Sequence, residues 1–539
     1  MDNDFFQRTK RTNLLLFFLI PFTIGMLYAL YTDHRWEDWY ITYRASKNLA
    51  TGEGLTYTAG ERVYSYTSPI NTLLPSFFAA LFPSNADEYA IWLYRLVNCF
   101  VLGICGVLLL RLSILLKFSK PFSLLLLFLF ATNSLIIDNS INGMEAPYMM
   151  LFLIFLFLAL HKKENARLRD FILPFTGLMY TRPDGFVYAG IFVFAFLIFD
   201  YNKSNSTAFW KNTQKIIQAA LLSFLLFLPW IFFTWYYYGS PVPNTIIAKS
   251  IFRDWHWWTF VKEFIKFPLS IFHEPVQYVL SGLFMPGYAV FGGWHSLDLA
   301  GRVVSCVAFF AFLFPFLPKA ARTFSLAVYL IVFYLTIISG QGGQPWYLPN
   351  LALPVILFFC LVLQAGYNWS ARNFFVCVGY VFLSYQLIIL LFGAFYFKTQ
   401  QQIVECGNRK KIGEWLQAQA HGSRETVFLE CLGYIGFYSQ LKMYDYPGMS
   451  SPEVVRILKE GKQTNNVTYS LIIAKLHPDW VVLRPWEVSM VEDEMPGLLK
   501  NNYREAKIFS VKDQIPQVWY LMGKPYLEHD AVFVVFRKK

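Results

Sequence analysis

Residues 13–31 read Asn-Leu-Leu-Leu-Phe-Phe-Leu-Ile-Pro-Phe-Thr-Ile-Gly-Met-Leu-Tyr-Ala-Leu-Tyr, an apolar run about as long as a helix needs to cross a bilayer. No cleavage site of small residues follows it, so we expect an anchor that stays in the protein. The whole 539-residue chain is 56% hydrophobic and only 15% charged. Soluble domains carry about 25% charged residues. The composition therefore predicts an integral membrane protein.

The net charge of +11 does not indicate nucleic-acid binding, because the basic residues collect at the ends of apolar runs. This is the distribution that the positive-inside rule produces. We therefore place these clusters on the cytoplasmic side of the membrane. They are Arg8–Arg11, Lys117–Lys120, His161–Lys163 and Lys319–Arg322.

Placing the basic clusters inside predicts about eleven spans and leaves the carboxy-terminal tail outside. The segment Tyr278–Gly293 would break this parity, so we interpret it as interfacial or re-entrant. Two long outside loops result, residues 32–87 and 237–300. The predicted spans are 13–31, 88–116, 121–137, 147–160, 171–181, 186–200, 216–236, 302–317, 323–339, 350–366 and 374–397.

The composition changes near residue 399, which predicts a membrane domain over 1–398 and an extracytoplasmic α/β domain over 399–539. In the tail, Ser451-Pro452-Glu453 has the signature of a capped helix start. Cys406 and Cys431 could pair there in an oxidising compartment. The tail contains four short apolar segments: Thr426–Leu432, Leu471–Ile473, Trp480–Leu483 and Ala531–Phe536.

Two adjacent carboxylates, Glu37 and Asp38, follow the first span and are flanked by aromatic residues. Burial raises the pKa of a carboxyl group and a nearby arginine such as Arg44 lowers it, so one acid of the pair could serve as a base. An ordinary polar loop at the membrane interface is the alternative. Further along the same loop lie more polar groups suited to a sugar or phosphate: Glu61, Arg62, Tyr66, Thr67 and Ser68.

Other polar turns rich in proline and glycine fall on the same predicted side of the membrane. Each alone could be a simple helix-end turn, but together they predict one polar cavity. Arg182 and Lys249 are the candidates for holding an anionic group there. The other candidate residues of these turns are Asn142, Glu145, Asp184, Asn244, Trp346 and Tyr347.

Taken together, these motifs resemble bacterial polyprenyl-phosphate-dependent glycosyltransferases of the GT-C superfamily, and among them terminal β-(1→2)-arabinofuranosyltransferases. The first-loop blocks are the most specific part of the resemblance, which spans nearly the whole chain. They are Glu37-Asp38-x-Tyr-Ile-Thr-Tyr-Arg, Asn48-Leu-Ala-x-Gly-x-Gly-Leu, Gly60-Glu-Arg-Val and Tyr66-Thr-Ser-Pro. Later blocks are Asn142-Gly-Met-Glu, Arg182-Pro-Asp-Gly and Pro241-Val-Pro-Asn-Thr-x-x-Ala-Lys.

The resemblance implies a helical bundle that uses a lipid-linked sugar donor and a catalytic carboxylate in the first outside loop. It implies Asp38 as the general base, with Glu37 assisting or binding, although the family usually has two aspartates here. Donor phosphate and sugar would meet the other candidate residues, from Arg44 to Tyr347. A divalent metal is compatible with the carboxylates, but no ligand spacing requires one.

The expected partners are a polyprenyl-phosphate sugar, a glycan or glycolipid acceptor of the cell envelope, and the bilayer of a bacterial plasma membrane. The active site and the tail would face outward. A transporter or flippase of lipid-linked sugars is the alternative function. It is disfavoured because we find no inverted repeat and no charges at the membrane midplane. A receptor that uses the tail for binding is a second alternative.

Overall fold

The structure, a computed structural model, describes residues 11–199, 206–253, 256–287, 292–294, 296–369, 372–422, 424–463 and 467–539. The basic residues Arg8 and Lys10 and part of Tyr278–Gly293 therefore lie outside the described residues. The chain forms two compact units. The helical unit consists of Met1–Asp33, Arg95–Leu228 and His256–Phe395. The mixed unit consists of His34–Tyr94, Pro229–Trp255 and Tyr396–Lys539.

Helices dominate the described chain, as its long apolar runs require. In chain order they are α1 (Arg11–Thr32), α2 (Glu37–Ala50), α3 (Pro69–Leu81), α4 (Ala86–Leu115), α5 (Lys120–Thr132), α6 (Ser134–Ile141), α7 (Ala146–His161), α8 (Leu168–Thr181), α9 (Gly185–Phe199), α10 (Ser206–Tyr238), α11 (Asn244–Ser250), α12 (Trp257–Lys266), α13 (Val276–Gly282), α14 (Leu299–Phe310), α15 (Lys319–Phe333), α16 (Pro349–Trp369), α17 (Arg372–Thr399), α18 (Lys410–Gln419), α19 (Leu432–Ser439), α20 (Pro452–Gln463), α21 (Tyr469–Leu476), α22 (Pro485–Glu494), α23 (Leu498–Asn502) and α24 (Lys524–His529).

Within the described chain, six helices are long and apolar enough to cross a membrane, or seven if the bent pair α5–α6 is one span. The pair bends by 52° at Asn133, whose side chain caps α6 by accepting the amide of Ile136 at 3.0 Å. Each of the eleven predicted spans overlaps a helix, several of those helices are short, and the predicted span 302–317 runs past the end of α14 at Phe310. The polytopic helical fold is thus confirmed, while the number of spans stays a prediction. Helix α13 has only seven residues, which is too short to cross.

The mixed unit contains a five-stranded sheet. Its strands are β1 (Thr426–Leu429), β2 (Lys442–Asp445), β3 (Trp480–Leu483), β4 (Tyr503–Ser510) and β5 (Val532–Lys538). Their order in the sheet is β2-β1-β3-β5-β4. Strand β1 pairs in parallel with β2 and β3, and β5 pairs antiparallel with β3 and β4. This confirms an α/β fold for the tail.

Both faces of the sheet are covered by apolar residues, and alternate residues of a strand serve opposite faces. Val427 belongs to one core, together with Ile41 and Tyr57 of the first loop. Phe428 belongs to the other core, together with Ala248 of the second loop. The compact unit thus includes parts of both long loops as well as the tail. The linear boundary at residue 398 stays a prediction.

Three of the four apolar tail segments overlap strands, whereas Leu471–Ile473 lies inside α21. The predicted helix start is confirmed, because α20 begins at Pro452 directly after Ser451. The hydroxyl of Ser451 donates to the carbonyl of Met443 at 2.6 Å and to Asp445 at 2.9 Å, so its capping role stays a prediction. Cys406 and Cys431 are both free thiols in this structure.

Candidate active site

The first two residues of α2 are Glu37 and Asp38. Negative side chains are favoured there, because the unpaired amides and the dipole of a helix make its amino end positive. Trp39 and Tyr43 of α2 are buried and their rings stack at 5.0 Å. The apolar residues therefore fix the helix, and the two carboxylates are presented at its first turn.

The carboxylate of Glu37 is engaged on both oxygens. Its Oε1 accepts the amide of Gly433 at 3.1 Å, and its Oε2 lies 3.0 Å from Nη1 of Arg409. The Glu37 side chain is 21% exposed. Since both oxygens are occupied by protein donors, Glu37 has little capacity left for a substrate.

Arg409 belongs to a buried group of charges that we call the Arg409 cluster. Its Nη1 lies 2.9 Å from Glu405, and its Nη2 lies 2.7 Å from Asp530. A second arginine, Arg484, also contacts Asp530 at 2.7 Å. The remaining members, Glu430, Glu487 and Cys431, all contact Arg484.

Carboxylates outnumber arginines in this cluster, and most of its side chains are buried. Burial raises the pKa of Glu37 to about 8, and Glu405, Glu430 and Asp530 add to the rise, although Arg409 opposes it. Burial alone would also raise the pKa of Asp530, but the two arginines outweigh it and hold that pKa below its usual value. The excess of negative charge is therefore reduced by protonation of Glu37, whose pKa is raised.

Asp38 is the second carboxylate of the first turn and is partly exposed. Its neighbour Glu37 is turned into the Arg409 cluster. The assignment of the base role to Asp38 stays a prediction.

Arg44 is not placed to bind a donor. Its guanidinium is buried and donates to the carbonyls of Gly436 at 2.8 Å and Leu441 at 3.1 Å. It also lies over the ring of Tyr57 at 4.3 Å. The prediction for Arg44 is therefore corrected: the residue fastens α2 to the end of α19.

Several other first-loop candidates also stabilise the fold. Glu61 pairs with Lys442 at 2.7 Å, and Lys442 pairs in turn with Glu453 at 2.8 Å. Tyr66 is buried and its hydroxyl lies 3.0 Å from that of Tyr238. Ser68 caps α3. Thr67 is partly exposed.

Two cationic candidates remain in the mixed unit. Arg62 is exposed, lies over the ring of Tyr237 at 4.9 Å, and has no carboxylate within 4.0 Å among the described residues. Lys249 is partly buried in the last turn of α11. Asn244, at the start of that helix, holds the segment by donating to the carbonyl of Gly448 at 2.7 Å.

The helical unit brings four other candidates together. Arg182 lies 2.7 Å from Glu145 and 2.9 Å from Asp184, and its guanidinium stacks on Tyr347 at 4.1 Å. Two carboxylates thus balance its charge, which weighs against Arg182 as the main anion-binding group. Trp346 follows α15 in the same unit, in a turn before α16. Asn142 is buried and donates to Asp138 at 3.0 Å, which is a structural role.

No group of three or more potential metal ligands occurs among the residues that the structure describes. Sequence reasoning identified Glu37 and Cys431 but missed that they belong to the Arg409 cluster. Its members come from residues 37, 405–409, 430–431, 484–487 and 530, and no local pattern links them. Part of the cluster lies on a π-helical segment, Gln400–Arg409, and such segments often occur at functional sites.

The chain was compared with sequence families, with curated proteins and with solved structures. Residues 394–533 match a sequence family described as a domain of unknown function, DUF8728. No curated protein matches the chain.

The chain is also similar to solved structures. One is ArnT from Cupriavidus metallidurans bound to undecaprenyl phosphate, at 11% identity and a TM-score of 0.48, with 97% of each chain covered. The apo state of ArnT gives a TM-score of 0.49 at the same identity and coverage. The mycobacterial arabinofuranosyltransferase AftD gives 12% identity and a TM-score of 0.45, covering 96% of this chain and 39% of that chain. At these identities and TM-scores the likenesses assign no activity to this chain.

Proposed function

We propose that this protein transfers a monosaccharide from a polyprenyl-phosphate donor to a hydroxyl group of a cell-envelope glycan or glycolipid. The observation that carries the proposal is the placement of two adjacent acids, Glu37 and Asp38, at the positive amino end of α2. Glu37 is bound by Arg409 and Gly433, and both acids are partly exposed. The first-loop motif that contains both acids resembles the catalytic block of polyprenyl-phosphate glycosyltransferases.

Asp38 acts as the general base in this proposal. Its carboxylate takes the proton of the acceptor hydroxyl as the hydroxyl oxygen forms a bond to the anomeric carbon. The bond from that carbon to the phosphate oxygen breaks at the same time, and its electron pair stays with the phosphate. Glu37 keeps a positioning role, because its oxygens accept bonds from the protein.

The departing phosphate gains negative charge and needs a cation nearby. Arg62 and Lys249 belong to the same compact unit as Asp38. Arg62 is the better candidate, since it is exposed and no carboxylate balances it among the described residues. A guanidinium also matches the geometry of phosphate oxygens. Arg182 is already paired with Glu145 and Asp184, which weighs against it as the phosphate-binding group.

We place the protein in a bacterial plasma membrane, with the first-loop acids and the tail on the outside. A lipid-linked donor suits this arrangement, because its prenyl chain can remain in the bilayer while its sugar faces the loops. The sugar would be a hexose or a pentose.

The test is Asp38→Asn in cells from which the gene has been deleted. Wild-type protein and the control Asp493→Asn, an exposed aspartate of the tail, should restore one defined sugar residue to the envelope glycans, as read by mass spectrometry. Asp38→Asn should reach the membrane in normal amounts but restore no sugar. Full restoration by Asp38→Asn would show that the proposed mechanism is wrong.

A further inference from the structure

The tail approaches the first turn of α2 closely at Gly433. A Cβ atom added to Gly433 would lie 2.2 Å from the carbonyl oxygen of Glu37 and 2.4 Å from its Cγ. Gly433 is the second residue of α19, and its amide also donates to the Glu37 carboxylate. Backbone of the tail therefore touches both the main chain and the side chain of the residue directly before Asp38.

The second contact to Glu37 comes from Arg409, which is itself held by other residues of the Arg409 cluster. Arg409 holds the Glu37 carboxylate at 3.0 Å and is itself fixed by Glu405 and Asp530. Asp530 is fixed further by Arg484. Glu37 thus rests on a network that extends from the π-helical segment to the start of β5.

Helix α2 does not need this contact to stay attached to the tail. Ile41 is buried in a core of the sheet, and Arg44 bonds two carbonyls of the tail. Both of these contacts lie at least one turn beyond Glu37. The contacts of Glu37 therefore fix the position of the first turn of α2.

We propose that Arg409 and Gly433 are positioning residues that set the place of Asp38 through Glu37. This inference rests on the proposed function and assigns the tail a part in it. The tail is then a support for the catalytic turn, and not only a binding module or a cap. In this inference the tail determines the position of the base that the acceptor contacts. The tail lies far along the chain, since Gly433 follows Glu37 by 396 residues.

Gly433→Ala is the sharpest test. Alanine favours a helix over glycine, so the variant should not weaken α19 itself. Its methyl group must push Glu37 away by about 1 Å, and a displacement of that size can cost roughly 100-fold in rate. The matched control is Gly422→Ala, which is also in the tail, where a Cβ meets nothing within 4 Å.

Two readouts separate a misplaced base from a misfolded protein. The first is sugar transfer by purified protein added to membranes of the deletion strain, which supply donor and acceptor. The second is the rise in melting temperature on adding polyprenyl phosphate. Gly433→Ala should lose roughly 100-fold in transfer yet keep the melting-temperature rise, and Gly422→Ala should match wild type in both.

Folded Gly433→Ala protein with wild-type transfer would overturn the inference. If Gly433→Ala does not fold, Glu37→Ala decides, with Glu460→Ala as control at an exposed ion pair. Folded Glu37→Ala with wild-type transfer would also overturn it. Retention of transfer by Asp38→Asn would instead count against the proposed function, so the two failures can be told apart.

Discussion

Arg182 and Glu145 form a buried ion pair in the helical unit, with Nη1 and Oε1 2.7 Å apart and side chains that are 6% and 5% exposed. Removing one partner of such a pair leaves a buried charge without compensation. Arg182→Gln should therefore destabilise the protein by about 3–5 kcal/mol. Thermal unfolding in detergent checks this against Lys211→Gln, an exposed lysine of the same unit. Equal melting temperatures of the two variants would contradict the prediction.

The pH dependence of stability should report on Glu37. Its pKa lies at about 8 in the fold against an ordinary value of 4.5, because burial and the acids Glu405, Glu430 and Asp530 outweigh Arg409. The folded state thus holds a proton that the unfolded state has released, so this contribution to stability is present below pH 4.5 and is lost as the pH rises to about 8.

Melting temperatures measured across this pH range should fall for wild type and fall less steeply for Glu37→Gln. The control is Glu460→Gln, since Glu460 is exposed at the surface of the tail. Parallel curves for wild type and Glu37→Gln would show that Glu37 is not the group that titrates.

Binding of polyprenyl phosphate should depend on Arg62. A hydrogen bond to a charged group contributes about 1.5–3 kcal/mol, so Arg62→Gln should weaken binding roughly 10- to 100-fold. The exposed arginine Arg504 of β4 provides the control, as Arg504→Gln. Thermal-shift titration gives both affinities. Unchanged affinity in Arg62→Gln would exclude Arg62 from the phosphate site.

Replacing Arg44 should affect stability and leave phosphate binding unchanged. Lysine lacks the planar fork whose two nitrogens reach the carbonyls of Gly436 and Leu441, so Arg44→Lys should cost about 1–3 kcal/mol. Faster hydrogen exchange over residues 436–441 would accompany the loss. Arg504→Lys serves as the control. A drop in polyprenyl-phosphate affinity without a change in stability would restore Arg44 as a donor-binding residue.

The helical architecture could be predicted from the sequence because apolar runs of span length have few other solutions in a bilayer. Every predicted span overlaps a helix for this reason. Strands β1 and β3 could also be predicted from the sequence, since both are apolar runs, as expected for strands that are nearly fully buried. Strands β2 and β4 could not, because β2 alternates with polar residues and β4 is largely exposed.

The candidate site was predictable only in part. The acids Glu37 and Asp38 could be found because they are adjacent in the chain and lie in a recognisable motif. The contacts of Glu37 could not, since its partners Arg409 and Gly433 follow about 370 to 400 residues later. Similarly, nothing near Arg44 in the sequence reveals the carbonyls that occupy its guanidinium.

The discontinuous mixed unit has a consequence for biosynthesis. The hydroxyl of Tyr57 bonds the carbonyl of Leu432, 375 residues further along the chain. At roughly 5–20 residues per second, a ribosome needs on the order of 20–75 s to make the intervening segment. During that time the first loop, with the buried residues Ile41 and Tyr57, has emerged without the sheet that will cover it. The nascent chain therefore passes through a long-lived stage in which α2 is exposed to proteases and to chaperones.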